Sequence, residues 1–388
     1  MSASLVSRTL ARPSFEAAFE PPAFLAAMLA FESALAQSQA EEGMILPAAA
    51  QAIARACDTL EFDVDALVAD AKRQGTLVVP FVKALRAAVG EASPEAAAHV
   101  HYGSTTQDVL DTAMALCVRP CLEEADRALE AAVRSLARHA QAHRTTPMLG
   151  RTLMQPAVAM SAGVKIGRWA LALAQDRERL ADAQGAALAV SWGGAVGTQQ
   201  GLGQRGIAAR KRLARRLGLE DAPSWHVHRN AWIDLLNRVG LVVLTCGKIA
   251  LDLSLLSQGE VGEMRESPPQ EGVGGSSAMP HKRNAVGCMH ALAAATRVPG
   301  LLAALHAAAL PEHERSLGRW QAELALVPDI VSALGSSLDF LDTIASSLMV
   351  DAARMKANLE AYGAPGTTIA ADGGTMEELL EQLGPYLA

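Results

Sequence analysis

Strand-forming character is what this 388-residue chain has least of. Aromatic residues make up only 4% of it, alternating β-branched segments are few, and alanine and leucine dominate an apolar share of 50%. That composition argues against a sheet-based fold and favours helices. Basic runs are missing too. The net charge is −7 and the pI near 5.8, so no stripe of cations is present to pair with nucleic acid or an acidic membrane surface. An anionic ligand would need a local cluster of cations instead. The five cysteines (Cys57, Cys117, Cys121, Cys246 and Cys288) have no CxxC spacing, which fits a reducing cytoplasm better than a disulfide framework or a zinc site. The first twenty residues carry no apolar core followed by a cleavage site, so no signal peptide is expected. The most apolar segment, Trp232 to Gln258, is interrupted by Asp234, Arg238, Lys248 and Asp252. Those charges are costly at bilayer depth, so a buried bundle helix is expected rather than a membrane span.

Helical pattern is abundant. Short amphipathic helices are expected over Pro22–Gln39, Pro47–Thr59 and Val64–Gln74, the last stopped by Gly75. Longer ones follow over Thr106–His143, Pro156–Gln184, Gly203–Leu217, Ala231–Glu263 and Asn284–Ala309. The chain therefore reads as all-α: an N-terminal helical domain (1–100), a central long-helix bundle (101–328) and a C-terminal helical segment (329–388) with a Gly/Thr-rich kink at Gly363–Thr368. Helices apolar on more than one face, such as Ala231–Glu263, need cover on every side, which points to a homo-oligomer.

Chemistry concentrates in three strings. The first is the loop GSSAMPHKRN, from Gly275 to Asn284, preceded by Gly272 and Gly274 and broken by Pro280. It gathers hydroxyls, fixed cations and an amide on a hinged segment suited to proton transfer beside a carboxylate. The second, His101–Tyr102–Gly103–Ser104–Thr105–Thr106–Gln107–Asp108, opens a long helix. Taken alone, it is either an ordinary N-cap or a place where hydroxyls and free N–H groups meet an anion. The third is Gly150–Arg151–Thr152–Leu153–Met154–Gln155–Pro156. Two other patterns carry less. Gly201–Gly206 spells GxGxxG without a preceding strand, which disfavours a dinucleotide site. His139 and His143 lack a third ligand, so no metal is expected.

GSSAMPHKRN resembles the signature loop of the fumarase/aspartase superfamily, GSSxMPxKxN, at every fixed position. The second string is similar to that superfamily's HxGATSxDxxDT region, departing at Ser104 and Thr106, and the third to its GRTHxQ region. Members of the superfamily that expel an amine or hydroxyl usually carry histidine at the Leu153 position, to hand a proton to the leaving group. Leucine moves no proton. Hydroxide and a carboxylate differ in basicity by roughly 12 pKa units, about 16 kcal/mol, so a carboxylate leaves unprotonated where hydroxide does not. The resemblance therefore narrows to the lactonising branch, cycloisomerases acting on carboxylated muconates. It takes in Gly193–Thr198, Trp225–His226, Arg229, Gly262–Glu263, Pro311–Arg315 and Trp320–Glu323, with departures at Asn230 and Ala285 and no histidine near Val78–Lys83.

The resemblance implies an all-α homotetramer with sites shared between subunits and no cofactor or metal. It makes Ser276 the proton-transfer residue, assisted by Lys282. Thr105, Thr106, Gln155, Lys282 and Asn284 would hold the carboxylates of a small anionic polycarboxylate. His101, Arg151, Ser277, Met279, His281 and Arg315 would line the pocket. Three rival expectations are a lyase releasing fumarate from an adenylosuccinate- or argininosuccinate-like substrate, an inactive structural homologue, and a cycloisomerase acting on a related, decarboxylated or halogenated muconate.

Overall fold

The computed structural model describes residues 5–267, 273–276, 278–279, 282–363 and 374–387. Ser277, His281 and most of the Gly363–Thr368 kink lie outside these.

The N-terminal part follows local rules closely. Pro21–Glu41 and Pro47–Thr59 each start on proline, whose fixed φ suits the first helical turn and whose missing N–H costs nothing there. Val64–Gln74 begins where the Asp63 side chain accepts the Ala66 N–H and ends on Gly75 at φ +74°. Val78–Ala92 completes this region.

Five long helices make the body: Thr106–Ala142, Ala162–Ala187, Asn230–Leu256, Val286–Ala308 and Arg319–Ser347. Thr106–Ala142 packs on Ala162–Ala187 and Arg319–Ser347. Asn230–Leu256 packs on Ala162–Ala187, Val286–Ala308 and Arg319–Ser347. A Cβ on Gly247 would overlap Ala295, so glycine lets Asn230–Leu256 and Val286–Ala308 approach closely. By length and composition, Asn230–Leu256, Val286–Ala308 and Arg319–Ser347 are each able to cross a membrane. In the fold their apolar faces meet one another, yet Leu241, Leu244, Leu251 and Met289 remain exposed.

Three sequence expectations need adjustment. Pro156–Gln184 is not one helix: Gln155–Ser161 is a strand paired antiparallel with Pro147–Thr152, and the helix starts at Ala162. The upstream strand supplies hydrogen bonds that a helix would otherwise make internally, a pairing that helical periodicity does not reveal. The helix expected over Ala231–Glu263 ends at Leu256, and beyond it Met264–Glu266 pairs with Leu348–Val350. Finally, Arg319–Ser347 runs unbroken through residues 328 and 329, so the division expected there falls inside a helix.

Candidate active site

Asp108 organises the first cluster. It is fully buried in the first turn of Thr106–Ala142 and reaches back to the Thr105 N–H at 3.0 Å, one half of a capping box. Its oxygens also accept the N–H groups of Gly193 (2.7 Å) and Gly194 (3.0 Å), and His226 Nε2 stands 2.7 Å away. A Cβ on Gly193 would strike Ser224, and Gly194 sits at φ +72°, so this cradle requires both glycines. Arg315 closes the cluster, donating to the Ala195 carbonyl at 2.9 Å and to Gln107 Oε1 at 3.4 Å. Asp108 thus ties the HYGSTTQD string to Gly193–Gly194, and the structure brings Thr105, Thr106 and Arg315 together around it. His101 precedes them at φ +65°, its Nδ1 2.5 Å from the buried Glu32.

Behind this cluster lies a buried ion network. Arg229 is buried between Asp111 and Glu323, Trp320 donates to Asp111 at 2.9 Å, and the guanidinium stacks 4.3 Å from the Trp225 ring. Burial alone depresses the Arg229 pKa, but the two carboxylates more than reverse this and raise it, keeping the arginine charged. These contacts give a structural reason for the Trp225–Arg229 and Trp320–Glu323 strings.

The second cluster is the hairpin tip. Leu153 and Met154, at φ +51° and +63°, form a two-residue loop between Thr152 and Gln155. Positive φ at both central residues is the type I′ pattern, normally filled by Asn-Gly rather than two bulky residues. Leu153 is 96% exposed. Arg151 does not point freely into a pocket: it grips the buried Glu263 through two contacts of 2.8 Å, and that hydrogen bonding raises its pKa. Asn358 donates to the same carboxylate. Arg151 therefore anchors the hairpin one pair below its turn, where Gln155 is exposed.

The signature loop is the third cluster. Gly275 and Arg283 form an antiparallel bridge, and the Asn284 N–H donates to the Gly274 carbonyl at 2.8 Å, closing the loop at its neck. Inside it, Ser276 Oγ accepts the N–H groups of Met279 (3.2 Å) and Ala278 (3.4 Å). Two amide dipoles aimed at one hydroxyl oxygen suit an alkoxide, the form serine needs to act as a base. Lys282, Asn284 and Met279 are exposed around it. At the loop exit, Glu266 accepts the N–H groups of Gly287 and Cys288, placing a carboxylate at the positive end of Val286–Ala308.

Each cluster is anchored by its own partners. The anchoring roles of Glu32, Glu266 and Asp108 come from contacts between distant segments and are not visible in the sequence motifs. For Glu32 one signal existed, a lone acid among Phe31, Ala34 and Leu35 on a helix face that turns out to be buried.

Residues 9–300 match the lyase family, and the chain belongs to it. The all-α bundle is the fold expected from the signature loop. Among its relatives, the 3-carboxy-cis,cis-muconate cycloisomerase of Bradyrhizobium diazoefficiens is 42% identical over 359 residues, 92% of this chain and 79% of that protein. Nitrosuccinate lyase of Streptomyces davaonensis is 40% identical over 374 residues, 94% of this chain and 78% of the relative. Among solved structures, the 3-carboxy-cis,cis-muconate lactonizing enzyme from Pseudomonas putida matches with a TM-score of 0.86 at 35% identity, covering 98% of this chain and 86% of that one.

Proposed function

We propose that the protein is an enzyme that closes 3-carboxy-cis,cis-muconate to a carboxymuconolactone. The observation that carries this reading is the pairing of an amide-cradled Ser276 with an aliphatic Leu153. Proton transfer at carbon is provided for, whereas proton delivery to a basic leaving group is not. In lactonisation a carboxylate oxygen bonds to a diene carbon, and the π pair shifts onto a second carboxylate as an aci-carboxylate. Ser276 then gives its proton to carbon, and its alkoxide is held by the Ala278 and Met279 N–H groups and by Lys282. Solvent restores the proton after product leaves. Thr105, Thr106, Gln155 and Asn284 hold the remaining carboxylates.

The active unit is a homotetramer with shared sites. Support comes from the exposed Leu153–Met154 tip and the uncovered leucines of Asn230–Leu256, features that a second copy would bury. A cytoplasmic setting accords with five free, buried cysteines.

Turnover in D2O tests the chemistry: NMR of the product should show a lactone with one deuterium on carbon. Fumarate release, or a lactone without deuterium, would contradict it. Nitrosuccinate belongs in the same assay, because nitrite, like a carboxylate, leaves as a weak base and Leu153 does not separate the two.

A further inference from the structure

One cavity gathers positive groups in a chain whose net charge is negative. About 380 Å³ in volume, it is lined by Val78, Val79, Val82, Lys83 and Arg86 from one helix, and by His101 and Thr106. None of these is acidic. Arg86 is held in place by donating to the Val100 carbonyl at 3.2 Å. His101 is held more tightly. Its φ of +65° lies where non-glycine residues rarely go, and Nδ1 is 2.5 Å from Glu32 Oε1. Glu32 belongs to the neighbouring Pro21–Glu41 helix and is 1% exposed; its other oxygen has no partner. A carboxylate is costly to bury unless something pairs with it. Among the described residues the His101 imidazole is its hydrogen-bond partner.

We propose that Lys83 joins His101 and Thr106, already assigned to substrate binding, in holding one carboxylate in this cavity, and that Glu32 is a positioning residue acting through His101. The proposal rests on the muconate reading above. Glu32 accepts the Nδ1–H, which fixes the ring's tautomer and orientation and leaves Nε2 for the cavity. When the ring carries its second proton, Nε2–H donates to a carboxylate and Glu32 balances the charge. Val78, Val79 and Val82 form an apolar wall for the diene carbons, while Lys83, His101 and the Thr106 hydroxyl supply the few polar groups that orient a ligand.

The test combines steady-state kinetics on 3-carboxy-cis,cis-muconate with calorimetric binding of propane-1,2,3-tricarboxylate, a tricarboxylate that does not react. Losing one charged hydrogen bond predicts that Lys83→Met and His101→Asn each raise KM and the tricarboxylate Kd about tenfold or more, with kcat falling less than threefold. Glu32→Leu should match His101→Asn, and Glu32→Gln, which keeps an oxygen acceptor, should recover most of that loss. The double variant Glu32→Leu/His101→Asn should be no worse than His101→Asn alone, because Glu32 acts only through the ring. Additive losses would overturn the positioning role. Unchanged KM and Kd in Lys83→Met and His101→Asn would overturn the subsite. If the muconate is not turned over but Lys83→Met still weakens tricarboxylate binding, the subsite stands and the substrate reading falls.

Discussion

Ser276 owes its candidacy to the two amide N–H groups that converge on its oxygen. Without the hydroxyl, no group in that position carries a proton to carbon. Ser276→Ala should therefore lower kcat by about three orders of magnitude or more while leaving the melting temperature unchanged. Stopped assays on the purified variant, alongside thermal unfolding, check both halves of that expectation. A second residue-scale effect concerns stability. His139 and His143 stack on one helix with ring centroids 6.3 Å apart, and burial lowers both pKa values; for His139 the neighbouring His143 and Arg138 lower it further. The unfolded chain then binds more protons than the folded one just below the ordinary histidine value. Stability from this pair is complete above about pH 6.5 and is lost as pH falls through the lowered folded values. The melting temperature should drop between pH 7.5 and 5.5, and the drop should be shallower in His139→Gln/His143→Gln.

At the scale of elements, the Arg229 network joins Thr106–Ala142, Asn230–Leu256 and Arg319–Ser347, with Arg229 at the N-cap of the second and its two carboxylates on the other helices. Removing the arginine leaves Asp111 and Glu323 buried without a cation. Arg229→Met should cost about 3–5 kcal/mol of unfolding free energy, measurable as a lower denaturant midpoint. Legibility from sequence divides along the same lines. Helices such as Val64–Gln74 and Gly203–Leu217 were legible to the residue, because glycine stops and apolar periodicity are local signals. The signature loop was legible as a motif, but its amide cradle was not, since that depends on how the loop closes at Gly275 and Arg283. Only residues 156–161, the second strand of the hairpin, carry a helical pattern in the sequence, and the turn before them is hard to see because it uses Leu153 and Met154 instead of glycine or asparagine. Glu32 stayed hidden for a different reason: its partner His101 lies 69 positions away, and a glutamate in an amphipathic helix looks solvated until the packing is known.

For the whole molecule, the unresolved demand is cover for apolar surface. Leu241, Leu244 and Leu251 recur along one exposed stripe of Asn230–Leu256, a helix whose other faces are already packed. Sedimentation should give a particle four times the mass of the 40.6 kDa chain. Leu244→Glu, which places a charge on that stripe, should yield smaller species with little activity, because sites shared between subunits come apart with the assembly. The proposed sharing of sites between subunits would account for the separate anchors of the three clusters within one chain.

The most direct measurement follows from Leu153. Purified protein is mixed in parallel with 3-carboxy-cis,cis-muconate and with adenylosuccinate, and each absorbance is followed. Loss of the muconate's conjugated-diene absorbance with adenylosuccinate untouched is the predicted result; adenylosuccinate turnover with the muconate unchanged would contradict it.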